Sequence, residues 1–145
     1  MIVDTSAIVA LIQREPEAAA IDQVLRRTSR TRISAATLVE LHIVIDSRTT
    51  PEQRRLIDSL LDAYGIEVVP FNTEHAEIAR AAYRDFGRGS GHRAKLNLGD
   101  TYSYALASAE HDTLLYVGDD FTHTDLRSAL DSEVAPDPQS RTKSP

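Results

Sequence analysis

Met1-Ile2-Val3-Asp4-Thr5-Ser6-Ala7-Ile8-Val9-Ala10 opens the chain, and the order of its chemistry decides the fold. Met1–Asp4 reads as a short buried strand. The polar Asp-Thr-Ser step ends it and can cap a helix, and a short helix over about Ala7–Gln13 follows. Pro16 is suited to the first position of a second helix, which carries Ala19, Val24 and Leu25. Arg32–Ser34 reads as a brief strand and Ala36–Arg48 as a third helix. Thr50-Pro51-Glu52-Gln53 is a helix start, with Thr as cap, Pro at the first position and Gln three residues on. That helix presents Leu56, Ile57, Leu60 and Leu61, and Gly65 ends it as a left-handed cap. The β-branched run Ile66–Val69 is a strand. Asn72-Thr73 then starts a helix with the stripe Ala79, Ala82, Tyr83 and Phe86. A flexible loop at Gly87–Gly91, a helix over about Gly99–Glu110, a strand Leu114–Val117 and a Gly118-Asp119-Asp120 turn complete the pattern.

Strands alternating with helices define an α/β domain with a mostly parallel sheet covered on both faces. Ligands of such sheets bind beyond the carboxyl ends of the strands. The 145 residues suffice for one domain. Residues 1–130 are expected to form it, with 131–145, which lose periodicity and contain three of the six prolines, as a mobile tail.

Composition removes several kinds of chemistry. There is no cysteine, which excludes thiolate zinc sites, iron–sulfur clusters, thiol nucleophiles and disulfides. No apolar run approaches the roughly 20 residues that span a bilayer, and Met1-Ile2-Val3 lacks the basic flank of a secretory signal. The expectation is a cytoplasmic protein with no membrane partner. The net charge of −6 argues against a basic coat for nucleic acid, yet an acidic metal site would itself contribute to it. Arginines cluster at 26–32, 48–55 and 80–93, and most read as solvated helix faces.

Carboxylates then stand where ligands should bind. Asp4 follows the first strand, Asp119 and Asp120 follow the last, and Asp100 opens a helix after Asn97-Leu98-Gly99. Taken singly, Asp4 and Asp100 read as helix caps and Gly-Asp-Asp as turn chemistry. Glu40 differs. Its neighbours three and four positions away are Ala36, Thr37, Ile43 and Val44, none basic. A carboxylate on so apolar a helix is expected to be buried, and burial without a partner costs several kcal/mol. A divalent cation would compensate. Oxygen ligands without cysteine suit Mg2+ or Mn2+ better than zinc, and such a site can activate water against a phosphodiester.

Val3-Asp4-Thr5-Ser6-Ala7, Glu40, Leu98-Gly99-Asp100 and Gly118-Asp119-Asp120-Phe121, in that order, resemble the PIN-domain nucleases. More narrowly, His92–Asp100 and Gly118–Asp125 resemble the VapC toxins of bacterial VapBC toxin–antitoxin pairs, over about residues 1–130. The resemblance implies a three-layer α/β/α PIN-like domain and a metal-dependent endoribonuclease that cuts tRNA or ribosomal RNA with Mg2+ or Mn2+. It also implies a homodimer, inhibited by a cognate VapB-type antitoxin in a heterotetramer or larger assembly. Asp4, Glu40 and Asp100 match the acidic ligands. The fourth acid is Asp120 or Asp119, with Asp120 preferred. Ser6 (or Thr5) would orient Asp4 or a metal-bound water, and His92 and Arg93 are candidates for contact with RNA phosphate. Two other readings compete. A phosphorylatable receiver domain would need a Lys following the last strand, where Gly118-Asp119-Asp120-Phe121 stands instead, and an acid at the end of a middle strand, whereas the early acid is at position 4. A non-catalytic module binding RNA or antitoxin would form complexes without cleaving RNA.

Overall fold

The structure, a computed structural model, describes residues 1–132. Its elements run β1 (Ile2–Val3), α1 (Thr5–Gln13), α2 (Ala18–Arg27), β2 (Thr31–Ser34), α3 (Ala35–Arg48), α4 (Pro51–Ala63), β3 (Ile66–Val69), α5 (Thr73–Phe86), α6 (Leu98–Ala109), β4 (Leu114–Leu115) and α7 (Ala129–Ser132). The expected tail falls mostly outside the described residues, and its first two residues belong to α7.

The sheet is parallel throughout, in the order β3-β2-β1-β4. Alternation along the strands divides the core. Val3, Ile33 and Leu115 face a cluster with Ile8, Ile21, Leu25, Leu41, Ile45 and Ile57 from α1 to α4. Ile2 and Leu114 face Ala82 of α5, Tyr104 and Leu106 of α6, and Phe121. Because side chains alternate along a strand, the two halves of Ile2-Val3 and of Leu114-Leu115 enter opposite cores, and three α/β/α layers result. The chain moves from β1 outward to β2 and β3, then returns to the other side of β1 as β4. The strand order therefore reverses between β1 and β4, which is where a ligand crevice opens in sheets of this kind.

Element ends follow local chemistry. Asn72 caps α5 by accepting the His75 N–H at 2.9 Å, and Gly65 takes the left-handed conformation after α4, at φ 61°. Pro16 does not begin the second helix. Arg14 turns left-handed at φ 55°, Pro16 and Glu17 lie in the turn that follows, and α2 starts at Ala18. The Gly87–Gly91 loop is pinned at its base, where Leu96 N–H donates to Phe86 O at 2.9 Å and Arg88 N–H to Leu96 O at 3.0 Å.

At α4, Gln53 N–H donates to Thr50 Oγ1 at 3.3 Å and Thr50 N–H to Gln53 Oε1 at 3.0 Å, a reciprocal capping box. Thr50→Ala removes one side of it and is expected to cost about 1 kcal/mol, read as a lower denaturant midpoint. An unchanged midpoint would show that the box contributes nothing.

Candidate active site

The carboxyl ends of β1 and β4 open into a pocket of about 330 Å3. Asp4 enters it from the end of β1, Glu40 from α3, Asp100 from the first turn of α6, and Asp120 from the turn after β4. Four elements distant in sequence thus deliver four carboxylates to one cavity. Asp119 does not line it.

Each acid is held differently. Asp4, 5 % exposed, caps α1 by accepting Ser6 N–H on Oδ2 at 3.0 Å. The same oxygen accepts the Ser6 hydroxyl at 2.7 Å, while Ser6 Oγ accepts Val117 N–H at 3.0 Å. Ser6 thereby ties the acid of β1 to the segment leaving β4. Asp4 Oδ1 accepts the Ser103 hydroxyl at 2.6 Å. Asp4 therefore caps α1 and lines the pocket with the same carboxylate. Asp100 is not the cap of α6; Asn97 is, and Asp100 closes the capping box by accepting Asn97 N–H on Oδ2 at 2.7 Å. The N-termini of α1 and α6 both meet the pocket, and their partial positive charge favours anionic groups there.

Glu40 has no such support. Oε2 is buried without a hydrogen-bond partner. The Thr5 hydroxyl lies near enough to offset a little of the resulting strain in charge, but its Oγ1 is also unpartnered, so the two are not in bonding geometry. Removal from water, with the negative charge of Asp4, raises the Glu40 carboxyl from 4.5 to about 7. Asp100 rises from 3.8 to about 7, again chiefly by burial. The Asn97 N–H opposes that rise, and the charges of Asp4, Asp120 and Glu40 add to it. These acids are crowded, partly dehydrated and mutually repelling, as expected of a site that needs an external positive charge.

The donor set fits a hard divalent cation: all oxygen, with one orphaned buried carboxylate oxygen. No group of three or more acidic or histidine side chains is already drawn into a closed cage among the described residues. The carboxylates ring an open cavity instead.

α3 is apolar nearly all round, as its sequence reads, but not buried all round. Thr37, Leu41 and Ile45 face the core, while Val39 and Ile43 are 59 % and 63 % exposed. Glu40 lies at the boundary, half-buried. His92 and Arg93 do not line the acid pocket. The His92 ring packs edge-on against Phe86, at 4.9 Å between centroids, and its Nδ1 accepts Ala94 N–H at 3.1 Å.

Three contributors escape a reading by motif. Ser103 is fully buried, and its hydroxyl pairs with Thr37 Oγ1 at 3.1 Å as well as with Asp4. Thr37 stands one turn before Glu40 and Ser103 one turn after Asp100, and that spacing is the signal that could have found them. Arg48 is the one cation among the residues lining the pocket, two turns beyond Glu40 on the same stripe of α3. Several arginines elsewhere are paired with neighbours on the surface, as Arg26 is with Asp22, Arg30 with Glu67 and Arg80 with Glu77. Arg48 has no side-chain ion pair among the described residues.

The PIN domain family model matches residues 1–126 of this parallel α/β/α sheet with carboxylates gathered at its β1/β4 crevice. The chain belongs to the PIN-domain family. Within it the chain is one of the VapC ribonucleases. It is 54 % identical over 129 residues to ribonuclease VapC42 of Mycobacterium tuberculosis, covering 89 % of this chain and 98 % of that protein. Solved structures share the fold. The Mycobacterium tuberculosis VapC20 toxin, described as cleaving the sarcin–ricin loop, superposes with a TM-score of 0.68 at 14 % identity, over 86 % of this chain and 95 % of that one. VapBC2 of Rickettsia felis, bound to a promoter DNA fragment, gives 0.64 at 19 % identity over 88 % and 95 %.

Proposed function

We propose that this chain is the toxin of a type II toxin–antitoxin pair, an endoribonuclease that hydrolyses phosphodiester bonds of tRNA or ribosomal RNA with Mg2+ or Mn2+. The observation that carries this reading is the convergence of Asp4, Glu40, Asp100 and Asp120 on one cavity at the strand-order reversal. These four would hold the cation, with Asp120 rather than Asp119 as the fourth acid. When bound, the cation supplies an activated water and offsets negative charge developing on the phosphate. Ser6 and Ser103 fix the two oxygens of Asp4, and the Asn97 N–H fixes one oxygen of Asp100. The acids therefore meet the substrate already oriented, with little rearrangement left to make.

The backbone of RNA needs cations outside the acidic centre. Arg48 is placed to contact a phosphate from within the pocket, while His92 and Arg93 would act on RNA beyond it. A VapB-type antitoxin is the proposed partner, consistent with the VapBC2 assembly sharing this fold. The stripes of α2 and α4 are mainly core, since Ile21, Val24, Leu25, Ile57 and Leu61 are buried. A second copy of the chain is proposed to cover the exposed Val39, Ile43 and Leu98 beside the site. No helix among the described residues is long and apolar enough to cross a membrane.

The test is RNA cleavage by the wild type and by Asp4→Asn, Asp100→Asn, Asp120→Asn and Asp119→Asn, with Mg2+ or Mn2+ and with chelator. Cleavage is expected only with metal. The first three variants should fall by more than the roughly 10–100-fold seen when outer partners of a metal site are removed, and Asp119→Asn by less. Undiminished cleavage in chelator, or by Asp4→Asn and Asp100→Asn, would overturn the assignment.

A further inference from the structure

Gly99 occupies the second position of α6, ahead of Asp100. It is absent from the glycines with positive φ, which are Gly65, Gly89, Gly91 and Gly118. Its backbone therefore makes no demand that alanine could not meet, and alanine is the better helix former. Space supplies the reason for glycine. A Cβ at position 99 would lie 2.0 Å from Glu40 Oε2, 2.4 Å from Cδ and 2.8 Å from Oε1. The obstruction would be the carboxylate itself. Gly87 is the contrasting case, where a Cβ would meet the Tyr83 backbone at 2.2 Å. There the fold itself forbids a side chain. At Gly99 the obstacle is the tip of a flexible side chain, which can leave.

We propose that Gly99 is a positioning residue for the acid site: the absence of a side chain there forms the seat of the Glu40 carboxylate against the first turn of α6. The seat explains two features together. It lets a half-buried acid on α3 share one cavity with Asp4 and Asp100, and it leaves Oε2 enclosed without a hydrogen bond. A Cβ at 99 displaces the carboxylate from the pocket, and the atoms it meets first are all in that one side chain. This inference rests on the reading of that pocket as the cleavage site.

Gly99→Ala is the test, and its signature is a divergence between stability and function. The metal-free variant is expected to melt at a higher temperature than the wild type at pH 8, because a better helix former is gained and an enclosed carboxylate is released to water. The rise in melting temperature on adding Mn2+ should shrink towards that of Glu40→Gln, and RNA cleavage should fall about tenfold or more. In a Glu40→Gln background, adding Gly99→Ala should reduce neither the metal response nor cleavage further, since the group it displaces is already disabled. A crystal structure of Gly99→Ala should show the Glu40 carboxylate withdrawn from Asp4. Wild-type cleavage and metal response with Glu40 in place would overturn the proposal. So would an equal loss in both backgrounds, which would locate the effect in α6 itself. Should Gly99→Ala not fold, Gly99→Ala/Glu40→Ala, which removes the colliding group, must recover folding for the proposal to stand. If the wild type cleaves no RNA, the functional reading fails, while the position of Glu40 in the variant crystal still decides whether Gly99 seats it.

Discussion

Glu40→Gln is expected to make the metal-free protein more stable at pH 8 while reducing RNA cleavage at least about 100-fold. The two effects share one cause. Glu40 is half-buried with an unpartnered Oε2, and its carboxyl is raised from 4.5 to about 7 by burial and by Asp4. At pH 8 it is ionised in the folded chain, at the cost of a charge no partner compensates. Each tenfold change in proton affinity corresponds to about 1.4 kcal/mol, so the rise would amount to about 3 kcal/mol if undamped. Solvent reaches part of the group and screens it, which brings the expected gain to about 1–2 kcal/mol. For a domain of this size that is an increase in melting temperature of about 3–6 °C. The amide keeps the shape of the acid but not its charge. It can neither offset a cation's charge nor complete the carboxylate set, and the loss should exceed the roughly 10–100-fold expected for an outer partner. Thermal melts at pH 8 in chelator, set beside cleavage assays with Mg2+, check both halves. A variant that melts at or below the wild type, or that cleaves as fast, would contradict the account of Glu40.

Glu40 also shows how far the sequence could be read. An acid without a basic neighbour at helical spacing, on a helix of Val, Leu and Ile, demands an explanation from chemistry alone, and the structure places it in the acid pocket. Its helix was legible, but the partition of that helix was not. Whether Val39 and Ile43 face the core or the outside depends on which neighbours α3 meets, and spacing within one helix does not contain that information. The order of strands and helices was legible for a similar reason, since Val3-Asp4-Thr5 and Thr50-Pro51-Glu52-Gln53 carry their own punctuation. Asp119 and Asp120 could not be separated by sequence. A left-handed Gly118, at φ 97°, sets the direction of the turn, and adjacent side chains then diverge. Ser103 was invisible as a site residue because a buried serine in Tyr-Ser-Tyr-Ala-Leu is ordinary helix filler until Asp4 is seen 2.6 Å away.

Without divalent cations, the wild type is expected to lose stability as pH rises from the ordinary carboxylate range, 3.8 for Asp100 and 4.5 for Glu40, to about 7, and Mg2+ or Mn2+ should restore it only in the upper part of that range. Below the ordinary carboxylate range Glu40 and Asp100 are protonated in the folded and unfolded chain alike, and they contribute no difference. As pH rises, the unfolded chain releases those protons first, because the folded carboxyls hold them to about 7. The folded state then binds more protons than the unfolded, and stability falls with pH until both groups are ionised in both states. Asp22, Asp85 and Asp112 are shifted the other way, downward by their ion pairs and hydrogen bonds. Their contribution is complete above the ordinary carboxylate range and is lost only in acid, so it does not mask the pocket. A cation needs the ionised carboxylates and competes with their protons. At pH 8 and a concentration about 100-fold above its dissociation constant, binding should add about 2.7 kcal/mol. At pH 5, where the folded acids hold their protons, the same concentration should add little. The double variant Glu40→Gln/Asp100→Asn isolates the pocket from other titrating groups, histidines included. Its melting temperature should decline less between pH 5 and pH 8, and it should respond little to Mn2+ at either. If the wild type is stabilised equally by Mn2+ at both pH values, or if the double variant follows the wild-type curve, the pocket acids are neither the source of the decline nor the site of the cation.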